Sequence, residues 1–82
     1  MDKSWYLYIL RCGDGTLYTG ITTDVEARLE MHRSGKGAKY TRGRGPLELA
    51  YWEKCDNQSQ ALKRERAVKA MSREEKQSLI NK

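Results

Sequence analysis

Four kinds of side chain in this 82-residue sequence stand at spacings that suggest chemistry. The first is a carboxylate. Glu65 falls at three-residue steps between Leu62 and Val68, on the centre line of the stripe Ala61, Leu62, Val68 and Met71 that a helix would bury. Its neighbours Lys63, Arg64, Arg66 and Lys69 are all basic. A carboxylate aimed at an apolar layer costs free energy unless a cation, a metal or a donor meets it. Two answers fit: an ion pair with Arg28 or another base, or ligation of one hard divalent cation such as Mg²⁺. The second and third groups are Arg28 and His32, four residues apart and so on one helical face beside Val25 and Leu29. Arg28 lays its stem along the sheet as a surface side chain or answers Glu65. His32 is the chain's only side chain that ordinarily titrates near neutrality. It relays a proton, binds phosphate or is an ordinary core or surface histidine. The fourth group is a set of phenols, Tyr6, Tyr8 and Tyr18, on two segments of β character.

The phenols depend on strand register. Side chains on a strand alternate faces, so Tyr6, Tyr8 and Leu10 share one side and Trp5, Leu7 and Ile9 the other. Gly13-Asp14-Gly15 is a turn signal between Ser4–Cys12 and Thr16–Thr22, which therefore form a hairpin. A three-residue loop centred on Asp14 pairs Leu10 with Tyr18 and Tyr8 with Gly20. Both tyrosines then emerge on one face, with Gly20 leaving space opposite Tyr8. A two-residue turn shifts the register by one and separates them. Both registers stay open, as does the plainer reading of the tyrosines as half-buried sheet residues.

Further along, Thr23 with Glu26 fits a capping box opening a first helix that stops before Gly35. Residues 35 to 46 hold four glycines and the only proline, so they read as a loop. Leu47–Lys54 is a third strand. Ser59 caps a second helix to about Met71, and Ser72 with Glu75 boxes a short third one to about Ile80. The order ββαβαα predicts an α+β fold, a small sheet covered by helices, in one domain spanning 1–82.

Charge narrows the partner. Between Arg28 and Arg44 lie six basic residues (Arg28, Arg33, Lys36, Lys39, Arg42, Arg44) and one acidic, Glu30, a balance of +5 that equals the whole chain's net charge. That block reads as a surface facing a polyanion or as a solvated loop. The longest uncharged apolar run, Trp5–Leu10, is far short of the roughly 20 residues of a spanning helix, so no membrane is expected. The start Met-Asp-Lys-Ser-Trp lacks the pattern of an export signal. Cys12 and Cys55 lack metal-ligand spacing and read as reduced thiols in a cytoplasmic protein.

Taken together, the residues resemble the GIY-YIG endonuclease domain. Its first motif is matched by Tyr6-Leu7-Tyr8 and its second by Tyr18-Thr19-Gly20; Arg28 and Glu65 align with the family's catalytic arginine and metal-binding glutamate. Tyr6 replaces the first-motif glycine, and Thr19 the second motif's isoleucine. The runs Tyr18–Val25 and Ser34–Arg42 are similar to the small stand-alone bacterial members.

The resemblance implies a three-stranded, mainly antiparallel sheet and metal-dependent hydrolysis of nucleic-acid phosphodiesters. DNA is the favoured substrate, with branched, flapped or single-stranded sites in repair or recombination. It implies catalytic roles for Tyr8, Tyr18, Arg28 and His32, with one Mg²⁺ or Mn²⁺ on Glu65. Gly20, Lys36, Lys39, Tyr40, Thr41, Arg42 and Arg44 are the expected nucleic-acid contacts, with Thr41 donating to phosphate and Tyr40 stacking on a base or walling the site. A non-catalytic nucleic-acid-binding module on the same scaffold is the alternative; a protein partner is unspecified.

Overall fold

The structure is a computed structural model and describes residues 4–82; the reading of the first three residues lies outside it. Strands β1 (Trp5–Arg11), β2 (Leu17–Thr22) and β3 (Glu48–Cys55) form one antiparallel sheet in the order β2-β1-β3. Helix α1 (Val25–Arg33) follows the hairpin, and α2 (Gln58–Lys69) and α3 (Arg73–Ile80) follow β3. A 3₁₀ turn at Lys39–Thr41 interrupts the loop after α1. The architecture is the expected α+β arrangement.

The hairpin settles its own register. Cys12 N–H donates to the Thr16 carbonyl at 2.8 Å and Gly15 N–H to the Cys12 carbonyl at 2.9 Å, closing a three-residue loop. Gly15 sits at φ +86°, a conformation that glycine adopts without the Cβ penalty. Tyr8 therefore faces Gly20 and Leu10 faces Tyr18.

The two faces of the sheet differ. Leu7 and Ile9 of β1 join Cys55, Ala61 and Val68 of α2, and Leu79 of α3 in the buried apolar cluster, with Trp5, Leu17, Ile21, Tyr51, Met71 and Ile80 around it. Each fully buried Leu or Ile contributes roughly 1.5–3 kcal/mol, so this face holds most of the apolar stabilisation. Arg64 of α2 clamps the helix to β3: its Nε lies 3.1 Å from both Glu53 carboxylate oxygens, and Tyr51 donates its hydroxyl to the same carboxylate at 2.7 Å. Cys12 and Cys55 are free and buried. No helix among the described residues is long and apolar enough to cross a membrane.

Three local expectations are corrected. Asp24, not Thr23, caps α1, accepting from Ala27 N–H at 3.1 Å. Thr22 Oγ1 takes the Asp24 N–H first, which moves the helix start on by one, and a carboxylate suits a helix N-terminus better than a hydroxyl does. Asn57, not Ser59, caps α2 by the same type of bond. Leu62 is 41% exposed, because α2 buries the line Ala61–Val68, seven residues apart, and Leu62 lies about 100° round from Ala61. Glu65 falls on that buried line. The Ser72–Glu75 capping box at α3 forms in full.

Thr19, only 3% exposed between Leu17 and Ile21, has a hydroxyl with no partner. An orphaned buried hydroxyl costs about 1–3 kcal/mol. Thr19→Val should therefore stabilise the fold by about 1 kcal/mol, raising the thermal midpoint by roughly 4–8 °C; a lower midpoint would show that the hydroxyl does bond.

Candidate active site

The second face of the sheet carries a buried polar chain. Tyr8, from the middle of β1, is 2% exposed. Its ring leans over Gly20, where a Cβ would stand 2.5 Å from the phenol oxygen. Gly20 is thus the space that Tyr8 fills. The Tyr8 hydroxyl lies 2.9 Å from Nε2 of His32, in the last turn of α1. His32 is also 2% exposed, and its Nδ1 lies 2.9 Å from Thr41 Oγ1.

Thr41 Oγ1 donates to the Ala38 carbonyl at 3.0 Å and lies 2.9 Å from Nδ1, and Ala38 N–H is directed at the same Nδ1 at 3.4 Å, so which imidazole nitrogen carries the proton turns on the tautomer. Burial pushes the His32 pKa below its ordinary value, with the nearby Arg28 cation adding to the shift. Burial likewise pushes the Tyr8 phenol up; Arg28 opposes that, while Tyr18 and Glu65 add to it. Both groups are accordingly neutral at pH 7.

Thr41 is likewise buried, and it is engaged with His32 and Ala38. Gly37 was not singled out from the sequence. A Cβ there would overlap the His32 ring, so the loop can close over His32 only with glycine at this place. The close glycine spacing Gly35-Lys36-Gly37 was the available signal.

Tyr18 stands beside this pair, half-buried. Its ring centroid is 5.2 Å from His32, edge-on, 6.4 Å from Tyr8 and 5.7 Å from Tyr40. Tyr40 thus forms part of the site wall, and the Arg44 guanidinium lies 4.6 Å over its ring. Arg44 is ion-paired through one guanidinium nitrogen with Asp14 in the hairpin turn. Hydrogen bonds from Thr16, with Arg44 beside them, hold the Asp14 carboxyl down at about 2. Gly13 N–H also donates to the Arg44 carbonyl at 2.6 Å, so turn and loop are fastened twice.

Arg28 is half-buried, and its Nε is buried without a partner. Its charge acts on both Tyr8 and His32. Glu65 is half-buried and acts on Tyr8 as well. Its ion-pair partner is Lys69 at 3.4 Å, one helical turn on, not Arg28. Lys36, Lys39 and Arg42 are exposed and make no ion pair among the described residues. The structure therefore gathers Tyr8, Tyr18, Arg28, His32 and Glu65 and leaves three loop cations facing solvent. Among the described residues no three His, Cys, Asp or Glu side chains cluster to hold a metal. A separate cleft between Tyr6, Trp52 and the start of α1 contains none of these groups.

Residues 4–78 match the GIY-YIG catalytic domain. A UPF0213 protein of Oceanobacillus iheyensis is 55% identical over 80 residues, covering 98% of this chain and 93% of its own. One from Staphylococcus saprophyticus is 51% identical over 81 residues, covering 99% and 98%. The solution NMR structure of a UPF0213 protein from Bacillus halodurans superposes with a TM-score of 0.62 at 49% identity, covering 95% of this chain and 83% of that one. The chain belongs to the GIY-YIG family, whose members are in general endonucleases.

Proposed function

We propose that this protein is a metal-dependent endonuclease that hydrolyses nucleic-acid phosphodiesters, DNA above all, at branched, flapped or single-stranded sites of repair or recombination intermediates in the cytoplasm. The observation that carries the reading is the Arg28 Nε, a buried cationic donor with no partner beside a phenol–imidazole pair. A buried donor left unmatched needs an acceptor from outside the chain, and a phosphoryl oxygen supplies one with the matching charge.

The remaining groups then take complementary roles. Tyr18, in ring contact with His32 and Tyr8, orients the attacking water and draws off its proton. A relay through Tyr8 and His32, whose hydroxyl and Nε2 lie 2.9 Å apart, would carry that proton onward with Nε2 in its acceptor form. Arg28 meets the charge that builds on the phosphoryl oxygens. Lys36, Lys39 and Arg42 hold the strand by its phosphates.

Glu65 fits a divalent cation. It is a half-buried carboxylate whose single ion pair, to an exposed lysine on the same helix, compensates it weakly. One carboxylate is what Mg²⁺ ordinarily takes from protein when water and substrate phosphates complete its shell. Bound there, Mg²⁺ or Mn²⁺ would polarise the phosphate and stabilise the leaving 3′ oxygen.

Arg28→Ala and Glu65→Ala should each lower the cleavage rate at least about 100-fold on labelled branched or single-stranded DNA, the usual cost of one transition-state contact. Circular dichroism should show both folded, since neither side chain belongs to the buried apolar cluster. Wild-type rates in either variant would remove its assigned role; binding without any cutting by the wild type would leave the non-catalytic module. The pH profile offers a separate check. His32 is depressed below its ordinary 6.5, so it stays neutral and accepting as pH falls past that value. The acid limb of kcat/KM should therefore lie below pH 6.5, and a limb above it would contradict the relay.

A further inference from the structure

In the loop after α1, Arg44 spends one guanidinium nitrogen on Asp14. Further cations stand across the hairpin. A shallow cleft of about 160 Å³ lies between Thr16, Leu17, Tyr40, Arg73 and Lys76. Tyr40 is its shared wall: the same ring touches Tyr18 at 5.7 Å, so the cleft begins one ring's thickness beyond that catalytic phenol. Arg73 spends one N–H on the Gly15 carbonyl at 2.7 Å, which leaves the rest of its fork unengaged among the described residues. Lys76 is half-buried and makes neither an ion pair nor a hydrogen bond among the described residues. Asp14 has Oδ1 on Thr16 and Oδ2 on Arg44, and Glu75 is turned back onto Ser72 N–H. Arg73 and Lys76 thus stand without an ion pair among the described residues, against an aromatic wall and a hydroxyl-bearing turn.

We infer that Arg73 and Lys76, with the outer edge of Tyr40, bind a backbone phosphate of the nucleic-acid strand next to the scissile one. This rests on the nuclease reading and deepens it: the strand is held from both sides of the hairpin, by Lys36, Lys39 and Arg42 on one and by the first turn of α3 on the other. The contact is to phosphate and sugar, so it fixes the strand's position without reading its bases.

Binding measured by fluorescence anisotropy across a NaCl series, in EDTA so that nothing is cut, tests the subsite apart from catalysis. Each lost phosphate contact flattens the log–log salt slope by about 0.9 on duplex and about 0.7 on single strands. Arg73→Ala/Lys76→Ala should flatten it by about 1.8 on a labelled duplex or about 1.4 on a labelled single strand, and the probe that responds identifies the strand form held there. Lys76→Ala alone should give half that change and keeps the Arg73–Gly15 bond that supports the turn. In cleavage assays the same variants should raise KM and leave kcat unchanged. Slopes unchanged in both variants on both probes, while Lys36→Ala/Lys39→Ala flattens them, would overturn the subsite and leave the nuclease reading standing. A wild-type protein with no salt-sensitive binding to either probe would overturn both.

Discussion

The buried hydrogen bond between Tyr8 and His32 governs the arrangement of everything around it. Two polar rings, each only 2% exposed, are tolerable in an interior only if their polar atoms are matched. The matching is complete: phenol to Nε2, Nδ1 to Thr41, Thr41 to the Ala38 carbonyl. Space for the rings comes from two glycines, Gly20 under Tyr8 and Gly37 over His32. The chain draws on β1, α1 and the loop after it, so those elements share one polar interior. Because burial holds both rings neutral, the interior strands no charge.

Charges in this protein divide into those already answered and those left open. Arg64 is answered by Glu53, and Arg44 by Asp14; both pairs join distant segments and fix geometry. Such pairs give position more than stability when exposed. Arg28, Lys36, Lys39, Arg42, Arg73 and Lys76 are not answered by any carboxylate among the described residues. They lie in the segment from α1 to the loop and at the start of α3, the two places where the chain borders the Tyr18–Tyr40 stack. A polyanion that approached there would meet fixed donors rather than having to break internal pairs.

The element order, the hairpin and the third helix's capping box were legible because each rests on contacts within a few residues. The same holds for Arg28 and His32 on one helical face. What was not legible depended on distant segments or on competition between adjacent donors. Thr22 claiming the Asp24 N–H moved the α1 cap by one residue. Leu62 was placed inside because apolar character alone cannot show which side of α2 meets the sheet. Arg44 and Thr41 were expected to face a phosphate, and no local pattern reveals that one is bound to a turn thirty positions earlier and the other to an imidazole. Glu65 fell on the buried line as its spacing required, but its ion-pair partner was its own helix neighbour.

The length of one turn ties these strands of argument together. Three residues between Cys12 and Thr16 place Tyr18 on the same side as Tyr8, and Thr19 on the helical side. A loop one residue shorter would turn every side chain of β2 over. Thr19 would then occupy the place beside His32, and Tyr18 would be driven into the apolar cluster with Leu7 and Ile9. Gly20 would no longer lie under the Tyr8 ring, so the phenol would lose its space and with it the imidazole. The same turn carries Asp14, which holds Arg44 over Tyr40, and Gly15, whose carbonyl holds Arg73. A tight hairpin of this kind therefore sets the register of the two tyrosines, the wall beside them and the cation beyond that wall at once, which is how a sheet of three strands accommodates an apolar face and a polar one.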